Sequence, residues 1–557
     1  MRALRLCLVV LVALTAVNCA TKDKMATTSP SLAPAMAPPP PPPPSPPPPP
    51  APAMRVSKAE APPASIPNVQ AVQPPINTES YDHVTDNGFL AVGQNPLSTF
   101  SIDVDTASYS VVRRFLNDGQ LPPEDAVRIE GLINYFPYTY EGPSDEKPFA
   151  ANIELAKCPW QPAHRLARVG IKAKDVSAKQ RPAANLVFLI DVSGSMRPEN
   201  KLPLVQRSLA LLVERMKNED RVAIAVYAGA SGLVLSSTPG TEREAIRRAI
   251  AQLEAGGSTN GGEGIQLAYR IAQESFVEGG INRVILATDG DFNVGVTNQE
   301  ELIALVEQKA KGGVFLSVLG YGMGNYKDST LEKLADKGNG NYAYIDTFNE
   351  ARKALVDQMA GTLMTVAKDV KLQIEFNPAQ VSAYRLIGYE NRLLEKEDFN
   401  DDKKDAGDIG AGHTVTALYE LVPAGVTPPA PQVDPLKYQA PLPSAEATGS
   451  RELFTLKIRY KQPDGDTSQL LQFAVEGEGK PIAQASPDLR FAASVAEWGM
   501  ILRNSPHKGV SSFDSAYSLA SGSVGKDDEG YRSEFLGLVK KARSLSPEAD
   551  KGTGIRE

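Results

Sequence analysis

The sequence predicts an α/β fold with a central, mainly parallel sheet, β-rich (sandwich-like) segments on either side of it and a helical C-terminal region. Three observations carry this. Between residues 183 and 350, short continuously apolar runs alternate with amphipathic stretches; on both sides of that region the pattern is strand-like; and after Pro487 apolar residues recur at helical spacing. A chain of 557 residues is too long for one core, so roughly two to four folded units are expected.

Met1, Arg2 and Arg5 followed by the apolar run Leu6 to Val17 have the charged start and short hydrophobic centre of an export signal, assigned to residues 1–19. The run is shorter than the roughly 20 residues that span a bilayer, and no later stretch reaches that length. Residues 20–78 are rich in Pro, Ala, Ser and Thr, with unbroken prolines at 38–44 and 46–50. Such a composition favours polyproline II and cannot build a core, so a stalk is expected. A first β-rich flank is assigned to residues 79–182. Within it Leu97 to Val104 alternates like a strand, Ala107 to Asn117 reads as a helix, and Asn152–Leu155 and Leu166–Ile171 read as strands.

From 183 to 350, strands are expected at Asn185–Ile190, Val222–Tyr227, Arg283–Ala287 and Val314–Leu319, with helices such as Leu202–Met216 and Gly264–Phe276 between them. Strands this apolar are buried on both faces, and sites in such sheets form beyond the carboxyl ends of the strands. A second β-rich flank, 351–482, follows with strands at Val370–Phe376, Val415–Val422, Leu453–Tyr460 and Leu470–Val475, and both flanks are expected to build one sandwich interrupted by the α/β unit. In the helical region 483–557, Phe491, Val495, Trp498 and Leu502 share one face, as do Tyr531, Phe535, Leu538 and Ala542; these are packing stripes.

The chemistry sits at the sheet edge. The first strand of the α/β unit ends in Asp191-Val192-Ser193-Gly194-Ser195-Met196, which brings one carboxylate and two hydroxyls to one loop. Gly257-Ser258-Thr259-Asn260-Gly261 precedes a helix, and the third strand ends in Ala287-Thr288-Asp289-Gly290-Asp291, so all three loops reach the same edge. Hard oxygens without His or Cys suit Mg²⁺, Mn²⁺ or Ca²⁺ and argue against zinc. No role is assigned to Thr288 or Asp291.

Asp-x-Ser-x-Ser, then a Thr, then Thr-Asp-Gly resembles the metal-ion-dependent adhesion site of Rossmann-like von Willebrand factor A domains. The resemblance implies that Ser193 and Ser195 coordinate directly, Thr259 directly or through water, and Asp191 and Asp289 mainly through water. One position is then left for an acidic side chain of a protein partner. Leu97 to Tyr109, Ile133-Asn-Tyr-Phe-Pro-Tyr138, Tyr384 to Arg392, Asp398 to Asp405 and Gly410 to Tyr419 are similar to the N- and C-terminal regions of bacterial YfbK-type A-domain proteins, covering roughly 80–557. Ala16-Val17-Asn18-Cys19 resembles a bacterial lipobox, with Asn18 departing from the usual small residue. That resemblance implies acylation of Cys19 and, with Ala20 in place of Asp, an outer-membrane anchor.

Other signals are weaker. Asp103-Val-Asp105-Thr106 matches a phosphatase pattern, but no α/β unit surrounds it. Asp398-Phe-Asn400-Asp-Asp402 has calcium-loop spacing, yet Lys403 stands at the turn glycine and Ile409 at the closing Glu, which reads as a surface loop. His83, His164, His413 and His507 fall in no hydrolase arrangement, and Cys158 is expected to be a buried small hydrophobe. A net charge of −8 argues against nucleic acid.

The expected function is therefore binding without catalysis. The chain is read as a cell-envelope protein, lipid-anchored at Cys19, whose A domain engages a carboxylate of a protein partner for adhesion or complex assembly. The alternatives are an accessory subunit presenting substrate to a separate enzyme, and a structural spacer with a fold-stabilising metal.

Overall fold

The structure, a computed structural model, describes residues 79–546 apart from 80, 103–104, 178, 229–230, 257–261, 291–298, 323–327, 359–360, 362, 405 and 430–442. The signal-like segment with Cys19, the Pro-rich stalk, Asp103, Thr259 and Asp291 lie outside the described residues.

The α/β unit is a six-stranded sheet in the order Tyr342–Ile345, Phe315–Tyr321, Ile281–Thr288, Ala184–Asp191, Arg221–Tyr227, Ser231–Pro239. All neighbours are parallel except the last pair, in which Ser231–Pro239 runs antiparallel to Arg221–Tyr227. Every residue of Ala184–Asp191 and Ile281–Thr288 is buried. The apolar runs demand this, because helices cover both faces of the sheet. Leu186, Phe188 and Ile190 join Val205, Leu209 and Ile246 on one face, while Val187 and Leu189 join Ile265, Tyr269 and Leu331 on the other.

The two flanks interleave. One antiparallel sheet contains Phe149–Lys157 and Arg165–Ala173 from before the α/β unit with Val381–Ile387 and Thr414–Pro423 from after it. In the other, Leu97–Ser101 pairs with Thr365–Phe376, which also pairs with Glu452–Lys461. Val169, Ile171, Tyr384 and Leu421 of the first sheet meet Phe100, Leu372, Ile374 and Leu456 of the second in one core, so the sheets form a sandwich.

The helices Pro487–Leu502, Phe513–Ser521 and Tyr531–Leu545 pack with the helices Ala107–Asn117 and Ile129–Asn134 of the first flank. Phe491, Val495, Trp498, Tyr531, Phe535, Leu538 and Ala542 are buried there beside Tyr109, Leu132 and Trp160. The first flank is thus partly helical, and its helices complete the C-terminal layer. Polar clamps hold the α/β unit in place. Arg113 bonds Asp346 and Glu350, the latter at 2.8 Å, as well as Glu534 of the last helix at 3.1 Å. Arg392 reaches Glu332 at 2.8 Å and Asp105 at 3.0 Å. Asp105 therefore serves as an ion-pair partner. Among the described residues no helix is long and apolar enough to cross a membrane.

Candidate metal centre

Asp191 is the last residue of the central strand, paired on one side with Tyr227. On the other side Ile190 pairs with Ala287, which puts Asp191 opposite Thr288, about 4.8 Å away at ordinary strand spacing. Asp289 follows immediately, and Gly290 turns the chain with φ 103°, a conformation that a side chain would strain. After Asp191 the chain stays extended at Ser193 and enters a 3-10 turn at Gly194–Met196, closed by the Met196 N–H on the Ser193 carbonyl. This turn brings Ser195 Oγ to 3.0 Å from Ser193 Oγ. Asp191, Asp289 and Thr288 are fully buried and Ser193 nearly so, while Ser195 is exposed. The rim is therefore polar and open above a desolvated floor.

The two carboxylates are each half satisfied. Asp191 Oδ1 accepts the Ser193 N–H at 2.8 Å, and Asp289 Oδ2 accepts the Lys201 ammonium at 2.9 Å. Asp191 Oδ2 and Asp289 Oδ1 are buried with no partner at full hydrogen-bond geometry among the described residues, though the Tyr227 hydroxyl stands close enough to Asp191 to favour its ionised form. Burial pushes the Asp191 carboxyl up to about 6, against the Ser193 N–H bond and aided by the charge of Asp289. A buried acceptor without a partner costs about 1–3 kcal/mol, more when charged. Two such oxygens on neighbouring strand ends, at the edge that also carries the Ser193 and Ser195 hydroxyls, are what a hard cation would satisfy, so the donor set fits a divalent ion. Among the described residues no group of three or more His, Cys, Asp or Glu is placed to hold a metal, here or elsewhere, so this edge offers two carboxylates and hydroxyls only.

Thr259 lies outside the described residues. The chain leading to it is fixed nonetheless: the Gly256 N–H donates to the Val192 carbonyl at 2.7 Å, and the helix Gly262–Glu274 begins after it. Gly264 lets that helix lie close, since a Cβ there would stand 2.9 Å from Tyr227 Cβ.

Sequence reasoning missed Lys201 and Tyr227. Lys201 comes directly before the helix Leu202–Arg215 and is buried, with its stem against Gly322; a Cβ at Gly322 would fall 2.2 Å from Lys201 Cε. A signal existed, because a lysine at a helix N-terminus opposes both capping preference and the helix dipole. Tyr227 is buried beside Asp191, and burial together with that charge pushes its phenol well above the ordinary range. Its position closing the neighbouring strand was legible, but its contact was not.

The remaining candidates fall elsewhere. Asp402, in the loop with calcium-like spacing, pairs with Arg459 at 3.1 Å. Cys158 is a buried free thiol whose pKa burial raises well above the usual range. His164 is tied to Glu420 at 2.6 Å, and His83 to Asp125 at 2.9 Å.

Three family profiles match the chain in succession: von Willebrand factor over 75–168, von Willebrand factor type A domain over 185–358, and "Uncharacterized protein YfbK, C-terminal" over 361–545. YfbK of Escherichia coli (strain K12) is 47% identical over 476 residues, covering 84% of this chain and 82% of YfbK. The chain belongs to the YfbK family. Inter-alpha-trypsin inhibitor heavy chain H3 of Pongo abelii is 32% identical over 260 residues, 42% of this chain and 29% of that protein, so the likeness spans under a third of its length. Among solved structures, the von Willebrand factor type A protein from Catenulispora acidiphila covers 73% of this chain and 91% of its own, at 17% identity and a TM-score of 0.38. The middle of this family member is thus a von Willebrand factor type A domain, a module that commonly mediates protein–protein interaction.

Proposed function

We propose that Asp191, Ser193, Ser195 and Asp289, joined by Thr259, hold a divalent cation (Mg²⁺, Mn²⁺ or Ca²⁺) at which a carboxylate of a protein partner docks. The observation that carries this is the pair of buried carboxylates, each with one oxygen lacking a full hydrogen bond among the described residues, at the edge where Ser193 and Ser195 present their hydroxyls. When bound, the ion supplies an electrophilic point for an incoming oxygen. The protein's own part is to bury Asp191 and Asp289, fix Asp191 through the Ser193 N–H, and leave exposed Ser195 at the rim. The same reading makes the protein a binder, exported and anchored through lipidated Cys19 in the outer membrane, with residues 20–78 as a spacer carrying the folded part outward. In support, the Cys158 thiol and the His164 imidazole are buried in structural contacts away from this edge.

The test is calorimetric titration of the protein with each of the three ions, beside Asp191→Ala and Ser193→Ala, followed by capture of envelope proteins with and without chelator. Saturable binding lost in both variants, and a partner released by chelator, are expected. A folded wild type that binds none of the ions refutes the site. Metal binding with an unchanged partner set leaves the ion only a role in stabilising the fold, and a co-purifying enzyme points to an accessory subunit.

A further inference from the structure

Where the A domain meets the flanks and the C-terminal helices there is a cavity of about 640 Å³. Asp191, Ser193, Ser195 and Asp289 are not among the residues that line it. Its wall is part apolar, with Ile285, Leu319 and Leu355 from the A domain and Phe136 from the first flank. Its volume falls within the range of small-molecule sites, roughly 300–1,000 Å³.

Arg283 stands in this wall and also lines an adjoining cavity of about 220 Å³. The residue is only 2% exposed. Its Nη1 donates to Ser317 Oγ at 2.6 Å and lies 3.5 Å from Asn341 Oδ1, while its Nε has no partner among the described residues. No carboxylate among them forms an ion pair with it. Burial lowers its pKa to about 10, opposed by the more distant charge of Asp408, so the group is cationic at neutral pH. Six carboxylates line the same cavity, and five are paired with other cations: Asp105 with Arg392, Asp175 with Lys172, Glu350 with Arg113, and Asp357 and Glu529 with Arg352. The sixth, Asp408, accepts the Asp369 N–H and acts on Arg283 through its charge without an ion pair between them. A buried guanidinium that forms no ion pair is costly to keep charged, and an anion that reaches it lowers that cost. Two further polar groups border the same space. Lys353, buried, donates to the Tyr135 carbonyl at 2.6 Å, and His413 Nε2 is buried without a partner among the described residues.

We propose that this cavity binds a small organic anion, a carboxylate or phosphate monoester with an apolar body, its charged end on Arg283 and its body against Ile285, Leu319 and Phe136. The site is separate from the metal edge, so its occupancy does not depend on a divalent ion.

The test uses the full chain in chelator, with octanoate, phenyl phosphate and inorganic phosphate as probes, read by calorimetry and by melting temperature. Octanoate or phenyl phosphate is expected to bind saturably and raise the melting temperature, and which of the two binds more tightly separates carboxylate from phosphate. Inorganic phosphate, lacking the apolar body, should bind at least tenfold more weakly than the better organic anion; equal binding overturns the apolar part of the proposal. Arg283→Met should lose at least tenfold in affinity while its own melting temperature stays level or rises, because an unpaired buried charge has gone. If that variant does not fold, Arg283→Lys, which keeps the charge without the planar fork, should still bind more weakly than wild type. No binding of any probe to wild type, or equal binding to the Arg283 variant, overturns the proposal.

Discussion

Lys201→Met tests the electrostatics of the proposed metal edge most directly. In the folded protein the ammonium lies 2.9 Å from Asp289 Oδ2, with both side chains buried. With Asp191 and Asp289 ionised, Lys201 brings the local charge from −2 to −1. Its loss leaves Asp289 uncompensated, and breaking one side of a buried pair costs about 3–5 kcal/mol. The metal-free variant should therefore melt well below wild type. The same change should favour the cation. For an assumed separation of roughly 6 Å and an effective dielectric of about 20, a unit positive charge repels a divalent cation by about 5.5 kcal/mol. Even a third of that is about 1.8 kcal/mol, roughly twentyfold in affinity. Saturating Mg²⁺ should accordingly restore part of the lost stability, raising the melting temperature of the variant more than that of wild type. Calorimetry should show tighter binding, and scanning fluorimetry with and without Mg²⁺ should show the larger rise. If Lys201→Met binds Mg²⁺ more weakly than wild type while remaining folded, the ammonium supports the site instead of competing with the ion, and the reasoning fails.

Gly322→Ala should resemble that variant, since φ 82° is strained for alanine and its Cβ would displace Lys201 Cε; about 1–2 kcal/mol of destabilisation with tighter Mg²⁺ binding is expected from melting and titration. Arg113→Met strips its counter-charge from Asp346, Glu350 and Glu534, joining three parts of the molecule, and should cost about 3–5 kcal/mol in denaturant titration, with faster amide exchange in the last helix. Burial raises the Glu497 carboxyl to about 7, against a bond from Ser515. A carboxyl raised on folding adds stability that is complete below its unfolded value near 4.5 and is lost as pH rises through about 7. Glu497→Gln should therefore gain on wild type by roughly 3 kcal/mol between pH 5 and pH 8; parallel melting curves for the two proteins across that range would refute it.

Much of the fold was legible because burial writes itself into periodicity. The runs Leu186–Ile190 and Val284–Ala287 are apolar throughout since helices cover both faces of their sheet, and no half-exposed strand could carry them. Ser231–Pro239 escaped notice because it is an edge strand with partly exposed residues, and Tyr342–Ile345 because four residues are too few to show a period. The flanking helix Ala107–Asn117 was readable, but its partners in the C-terminal layer were not, because stripe spacing names a buried face without naming what buries it.

The same division runs through the site. Asp191, Ser193, Ser195, Thr259 and Asp289 were legible as candidates because they follow buried strands or precede a helix at one sheet edge and their spacing resembles an adhesion-type metal site. The type A domain at the centre of the chain was likewise legible from its motif and its run of buried strands. What the tertiary structure alone decided was charge balance: which carboxylate oxygens lack full hydrogen bonds among the described residues, that Lys201 rests on Asp289, and that Arg283 forms no ion pair among those residues. Periodicity records whether a side chain is buried. Whether a buried charge meets its opposite depends on distances between residues far apart in the chain, such as Lys201 and Asp289, and only folding sets those.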